Sequence, residues 1–323
     1  MRFIVYGAGA IGGLVGGLLS LSGQDVILIA RGAHARAIKE RGLTVASAQE
    51  TRTVAIPVVT EPSAAGPTED DVVLLGMKSQ DTPGALDALR RCAPATIPVV
   101  CLQNGVENER SALRLFRNVY AVCVMCPASH FEPGVVQQDS VPIPGLLDIG
   151  RYPEGIDAVT ARVAEGLRKA GFESVERPDL MRWKFRKLLM NLGNAVNALC
   201  ESPQAAEIVK QAQSEGEACL RAAGIDYVSE EEEMNRRAGL MQLKEIPGRP
   251  RGGGSSWQSL RRGTGTIETD YLNGEIGLLG RLHGIPTPVN GALQRLAWDA
   301  ALRRDPPGRL SIDELRGLLE TDV

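Results

Sequence analysis

Two domains are predicted for this chain: an α/β N-terminal domain on a doubly wound, mainly parallel sheet, followed by an all-α C-terminal domain. Three observations carry the prediction. A short apolar strand at the start runs directly into Gly-x-Gly-x-x-Gly and an apolar helix. Short apolar runs then alternate with helical stretches up to about residue 177. From Leu180 onward the pattern is almost wholly helical. Alternation of this kind sandwiches parallel strands between helices. The boundary is drawn near Pro178, giving domains 1–177 and 178–323.

The first strand is Arg2–Tyr6, and Gly7-Ala8-Gly9-Ala10-Ile11-Gly12 follows, with a helix over Leu14–Leu21. Strand, glycine fingerprint and helix in that order mark a dinucleotide site. Gly7 makes the tight turn, Gly9 lets a pyrophosphate approach the backbone, and Gly12 lets the helix pack on the sheet. Ala8, Ala10 and Ile11 contribute the loop and the N–H groups of the helix start. The plainer alternative is a Gly-rich turn without a ligand. The second strand, Gln24–Ala30, runs into Arg31, and no carboxylate follows until Glu40. An NAD site usually places an acid there, whereas a cation suits the 2′-phosphate of NADP(H). The alternative is that Arg31 is simply a solvated strand-end residue.

Further strands are read over Leu43–Ala46, Thr53–Val59, Asp71–Met77, Ile97–Leu102 and Val119–Met125, with helices over Thr82–Cys92 and Val106–Leu115. Ligands of such sheets bind beyond the carboxyl ends of the strands. Lys78 and Asn104 both follow strand ends, so one crevice would collect them with the fingerprint.

Composition narrows the class. Of 323 residues, 43% are hydrophobic and 23% charged, with a formal net charge of −3, so no nucleic-acid partner is suggested. No signal-peptide pattern and no membrane-length apolar run is found. The six cysteines are scattered, and Cys123 and Cys126 on a strand would face opposite sides, which reads as structural. With only three His and no second Cys pair, no metal site is expected. The expected location is the reducing cytoplasm.

In the second half, Trp183–Leu199 reads as one helix. Phe185, Leu188, Leu189, Leu192, Ala195, Val196 and Leu199 gather on one face, and Lys187, Asn191 and Asn194 form a polar stripe at i, i+4 and i+7. One ammonium and two amides suit a small oxygen-rich substrate; an ordinary polar helix surface is the alternative. Asn is a poor helix former, so its repetition asks for a reason. Residues 247–254, with four Gly and two Pro, read as a mobile loop, followed by the polar segment Ser255–Leu260 and then Glu268–Glu275. Glu230–Glu233 reads as a solvated helix start.

These motifs, taken in order, resemble the ketopantoate reductase family over nearly the full length. The anchors are GAGAIGG, Arg31, MKSQDT, LQNGVENE, RKLLMN, SSWQSL, IETDYLNG and HGIPTPVN. The resemblance implies a Rossmann domain joined to a helical domain, with the active site in the cleft between them. It implies NADPH-dependent reduction of 2-dehydropantoate to pantoate in pantothenate and coenzyme A biosynthesis. By position, Lys187 is the proton donor and Glu268 holds the cofactor–substrate arrangement. Asn191 and Ser256 bind substrate, Asn104 lies at the nicotinamide end, and Lys78 lines the cofactor cleft. The family's second substrate Asn, four residues after Asn191, is Ala195 here; Asn194 substitutes, or Asn197 does, or the contact is lost. Gly253 stands where Asn is common. A sibling reductase of another branched or aromatic 2-oxo acid is the alternative, and a non-catalytic NADP-binding sensor the alternative from another class. The expected partner is a small 2-oxo acid, with no nucleic acid and no membrane; a homodimer is left open.

Overall fold

The alternating first half folds as a layered sheet. In this computed structural model, which describes residues 1–249 and 252–320, the first elements are β1 (Arg2–Tyr6), α1 (Ala10–Leu21), β2 (Val26–Ile29), α2 (Gly32–Arg41), β3 (Leu43–Ala46), β4 (Thr51–Val54), β5 (Val58–Val59) and β6 (Asp71–Leu75). They continue as α3 (Thr82–Arg90), β7 (Pro98–Cys101), α4 (Asn108–Leu113), β8 (Asn118–Met125), β9 (Ala128–Ser129), β10 (Val135–Gln138), β11 (Ser140–Pro142), β12 (Leu146–Arg151) and α5 (Ala158–Lys169). A seven-stranded sheet has the order β12-β8-β7-β6-β1-β2-β5. All its pairings are parallel except β12 with β8. Successive β1 side chains serve opposite faces. Phe3 and Val5 join the core that holds Leu14, Val163 and Leu167 of α1 and α5, and Ile4 joins the core that holds Leu86, Leu89 and Ala112 of α3 and α4.

A second sheet, β4-β3-β10-β9, was not expected. Thr53–Val59 is therefore not one strand. It divides into β4 and β5, which lie in different sheets on either side of Ala55-Ile56-Pro57. Helix α1 reaches both sheets because its four glycines form two stripes. A Cβ on Gly16 would sit 2.6 Å from Leu28 Cδ2, and one on Gly13 or Gly17 would sit 2.7 Å from Val136 Cγ1 or 2.8 Å from Val45 Cγ2. The helix is continuous despite the glycines.

Contacts divide the chain into Met1–Lys184 with Ser229–Arg251, and Phe185–Val228 with Gly252–Val323. A single cut at 177/178 does not describe this division. After α6 (Leu180–Asn191), α7 (Gly193–Leu199) and α8 (Ala206–Ala222), the chain returns to the first unit as α9 (Glu230–Arg237) and β13 (Met241–Leu243). Strand β13 pairs antiparallel with β11, so the second half is not purely helical. Ser229 and Glu232 form a capping box at the start of α9, but Glu233 is buried and bound to Arg237 instead of solvated. Within the 247–254 segment, Pro250 and Arg251 lie outside the described residues. The second unit continues with α10 (Ser255–Arg262), α11 (Asn273–His283), α12 (Pro288–Arg303) and α13 (Ile312–Glu320).

Candidate active site

The fingerprint glycines are distinguished by what a methyl group would meet. Gly7 has φ +98°, and its Cβ would sit 2.6 Å from Met77 N; a Cβ on Gly12 would sit 2.1 Å from Gly7 O. Around Gly9, by contrast, nothing lies within 4 Å. Gly7 and Gly12 are therefore fixed by packing of the turn, and Gly9 borders open space at the N-cap of α1. Ala10, Ile11 and Gly12 open that helix, and Ala8 is buried behind the turn. Open space at a helix start, where the first backbone N–H groups have no partner within the helix, fits a pyrophosphate.

Arg31 is exposed at the N-cap of α2, directly after β2. A carboxylate does reach this end of the sheet, from the adjacent strand. Glu61 follows β5, which runs parallel beside β2. Burial raises the pKa of the Tyr6 phenol at the end of β1, with Arg31 pulling it down and Glu61 pushing it up. Both charges therefore act at the same strand ends.

Lys78 follows β6 and Asn104 follows β7; both are half-buried. Their loops are clasped by a buried amide–hydroxyl network that the sequence reading missed. Gln103 Nε2 donates to Met77 O (2.9 Å) and Thr82 Oγ1 (2.8 Å), and Thr82 Oγ1 donates to Asn108 Oδ1 (2.8 Å). Asn108 Nδ2 donates to Ser79 Oγ (3.0 Å) and Asn104 O (2.9 Å). Lys184 Nζ donates to Gln103 O (3.1 Å) and forms a buried ion pair with Glu109. Burial pushes the Glu109 carboxyl up, against the pull of Lys184. The only sequence signal was a run of polar residues inside apolar surroundings.

In the second unit the expected single helix breaks at Leu192. Lys187 and Asn191 lie on α6, whereas Asn194 lies on α7, so the three do not form one helix stripe. The break has partners. Asn273 Nδ2 donates to Leu192 O (3.1 Å) and Asn290 Oδ1 (3.0 Å), and a Cβ on Gly193 would sit 3.0 Å from Val209 Cγ1 of α8. Glu268 is buried just before the turn Thr269–Tyr271, which leads into Asn273. Lys187 is half-buried. Asn191 is 6% and Ser256 1% exposed, yet Asn191 Nδ2 and Ser256 Oγ have no hydrogen-bond partner among the described residues. Buried donors are rarely left so without a ligand or water to satisfy them.

Comparison with known proteins gives the same reading on both units. The family model described as Ketopantoate reductase PanE/ApbA matches residues 3–154, and that of its C-terminal part matches 179–299. A 2-dehydropantoate 2-reductase of Halobacterium salinarum is 32% identical over 90% of this chain and 95% of its own length. The chain belongs to the ketopantoate reductase family. Its counterpart from Pyrococcus horikoshii is 29% identical over 92% of this chain and 96% of its own. The solved PanE/ApbA family ketopantoate reductase of Ralstonia eutropha has a TM-score of 0.78 at 29% identity, covering 94% of this chain and 99% of that one. D-mandelate dehydrogenase, solved with NADH and anilino(oxo)acetate, shares the fold with a TM-score of 0.80 at 22% identity, covering 94% of this chain and 100% of that one.

This ketopantoate reductase family member is thus a pyridine-nucleotide-dependent oxidoreductase, and its departures from the family pattern have local explanations. A Cβ on Gly253 would sit 2.5 Å from Trp257 Cγ, so the indole occupies the space a side chain at 253 would need. Trp257 Nε1 donates to Glu201 Oε1 at 2.6 Å. Asn194 lies beside the N-cap of α10, where its Oδ1 would be 3.2 Å from a Cβ on Gly254; Asn197 is exposed. Cys123 and Cys126 donate to different backbone carbonyls, of Trp183 and Pro144. Burial pushes the Cys126 thiol up to about 12, so it does not offer a thiolate. Among the described residues no cluster of acids, His and Cys is arranged to hold a metal, and no helix is long and apolar enough to cross a membrane.

Proposed function

We propose that this chain reduces 2-dehydropantoate to pantoate with NADPH, the step that serves pantothenate and coenzyme A biosynthesis. The observation that carries the reading is the pair of buried, unpartnered groups, Asn191 Nδ2 and Ser256 Oγ, in the same unit as Lys187 and Glu268. A 2-oxo acid offers acceptor oxygens to both.

In this reading Gly7, Ala8, Gly9, Ala10, Ile11 and Gly12 cradle the pyrophosphate, Arg31 pairs with the 2′-phosphate, and Lys78 and Asn104 line the cofactor. When bound, the reduced nicotinamide supplies the hydride from its C4. As the ketone carbon is reduced, its oxygen gains negative charge. The Lys187 ammonium stabilises that charge and gives up its proton to the oxygen. Glu268 keeps the ammonium charged and orders the arrangement. Asn191, Ser256 and Asn194 orient the substrate oxygens.

The test is purified protein with NADPH or NADH and a panel of 2-oxo acids, followed at the nicotinamide absorbance. The expected result is the highest kcat/KM for 2-dehydropantoate with NADPH. A higher value for a branched or aromatic analogue transfers the chain to that substrate. Nucleotide binding without turnover of any 2-oxo acid overturns the enzymatic reading.

A further inference from the structure

His34, three residues after Arg31, joins two backbone segments that are far apart in sequence. Its Nε2 lies 2.7 Å from Ala8 O in the fingerprint loop, and its Nδ1 accepts from Gly134 N at 2.9 Å. A backbone N–H can only donate, so Nδ1 carries no proton. The proton is on Nε2, which therefore donates to Ala8 O. The ring is neutral, because burial and the neighbouring His130, 4.2 Å away between ring centroids, lower its pKa to about 4.

The second anchor is equally constrained. Gly134 has φ +84°, and a Cβ there would sit 3.0 Å from the Ala37 Cβ of α2. Its carbonyl accepts from Thr44 N in β3 at 2.9 Å. One imidazole thus ties the fingerprint loop and α2 to the second sheet.

We propose that His34 is a positioning residue for the nucleotide, holding the Ala8 carbonyl so that the loop presents N–H groups to the pyrophosphate. A carbonyl oxygen turned towards a phosphate would repel it, and hydrogen-bonding that oxygen to His34 prevents the rotation. The proposal rests on the nucleotide reading of the loop. Because the pyrophosphate is common to both cofactors, His34 serves NADPH and NADH alike, whereas Arg31 distinguishes them.

The experiment is fluorescence titration of NADPH and NADH into wild type, His34→Ala and His34→Gln. His34→Ala is expected to raise both Kd values by about tenfold, the scale of a lost hydrogen bond to a loop, with kcat at saturating nucleotide unchanged. His34→Gln, a neutral amide with one donor and one acceptor in reach, is expected to recover most of the loss. Unchanged Kd values in His34→Ala, a loss confined to NADPH, or no recovery in His34→Gln overturns the proposal. Should His34→Ala not fold, ¹⁵N spectra of the wild-type imidazole decide. The Nε2–H tautomer and a ring signal that shifts with either nucleotide support it; the Nδ1–H tautomer, or a signal indifferent to both, overturns it. Wild-type protein that binds neither nucleotide removes the cofactor reading itself, and this proposal with it.

Discussion

In the first unit the fingerprint part of the candidate site is made of backbone; in the second unit the candidate site is made of side chains. Between Gly7 and Gly12 the geometry follows from where a Cβ cannot go, and the surface offered to a ligand is a row of N–H groups. In the second unit the proposed chemistry falls to Lys187, Asn191, Ser256 and Glu268, and buried polar atoms of two of these, Asn191 Nδ2 and Ser256 Oγ, have no hydrogen-bond partner among the described residues. The two designs fail in opposite ways. A backbone site is broken by adding atoms, whereas a side-chain site is broken by removing them.

The largest effect is expected at Lys187. Lys187→Ala should lower kcat by roughly 10²–10⁴, the range for a positioned general acid, with the Kd of NADPH near wild type. A raised substrate KM with kcat preserved at saturation would make Lys187 an anchor and move the proton donor elsewhere, Lys78 being the first candidate.

Next come two methyl groups added to the backbone site. Gly12→Ala forces a Cβ to within 2.1 Å of Gly7 O, and the fold should lose about 3 kcal/mol on the scale of overpacking. Gly9→Ala meets nothing within 4 Å, so stability should stay within about 1 kcal/mol while nucleotide binding weakens. Denaturant titration and nucleotide titration of both variants separate the two. Equal stability losses would contradict the assignment of packing to Gly12 and ligand space to Gly9.

The contrast also explains what could be read in advance. The fingerprint is legible because three glycines at fixed spacing encode a local turn and its helix. The parallel strands are legible because burial on both faces leaves runs such as Asp71–Leu75. What escaped depends on partners distant in sequence. Nothing near residue 55 says that β4 and β5 enter different sheets. The break at Leu192 is stabilised by Asn273, and the Asn104 loop is held by residues from Met77 to Lys184. His34 looks like any helix-start residue until Gly134 arrives, 100 positions later. In the second unit the polar residues drew attention, but periodicity alone placed Asn194 on the wrong helix. Family resemblance, not spacing, singled out Glu268 and Ser256.

Smaller effects sharpen the comparison. Arg31→Ala should weaken NADPH binding by about 1.5–3 kcal/mol, as for a charge-assisted hydrogen bond, and leave NADH nearly unchanged; parallel losses would remove Arg31 from cofactor choice. Ser256→Ala deletes a buried hydroxyl that has no partner among the described residues. It should raise the KM for the 2-oxo acid by about tenfold without lowering the melting temperature, since an unsatisfied hydroxyl already costs about 1–3 kcal/mol. A lower melting temperature with unchanged KM would show that the hydroxyl is structural.

The smallest effect is a pH dependence, and its sign follows from proton counts. His34 has a pKa of about 4 in the folded protein, against 6.5 for the free side chain. Between those values the unfolded chain binds more protons than the folded one, so stability rises with pH. This contribution is complete above pH 6.5, is lost as the pH falls through the window, and changes no further below 4. Because the ring is only partly buried, the difference should be about 1 kcal/mol after solvent screening. Carboxylates held low by ion pairs, such as Asp148 beside Arg236 and Arg177, act in wild type and variant alike. Subtracting denaturation curves of His34→Gln from those of wild type at several pH values therefore isolates His34 together with its coupling to His130. The difference should shift against wild type as the pH drops from 6.5 to 4. A difference that does not vary with pH would mean that the ring titrates alike in both states, and that the hydrogen bond from Gly134 does not require it to be neutral.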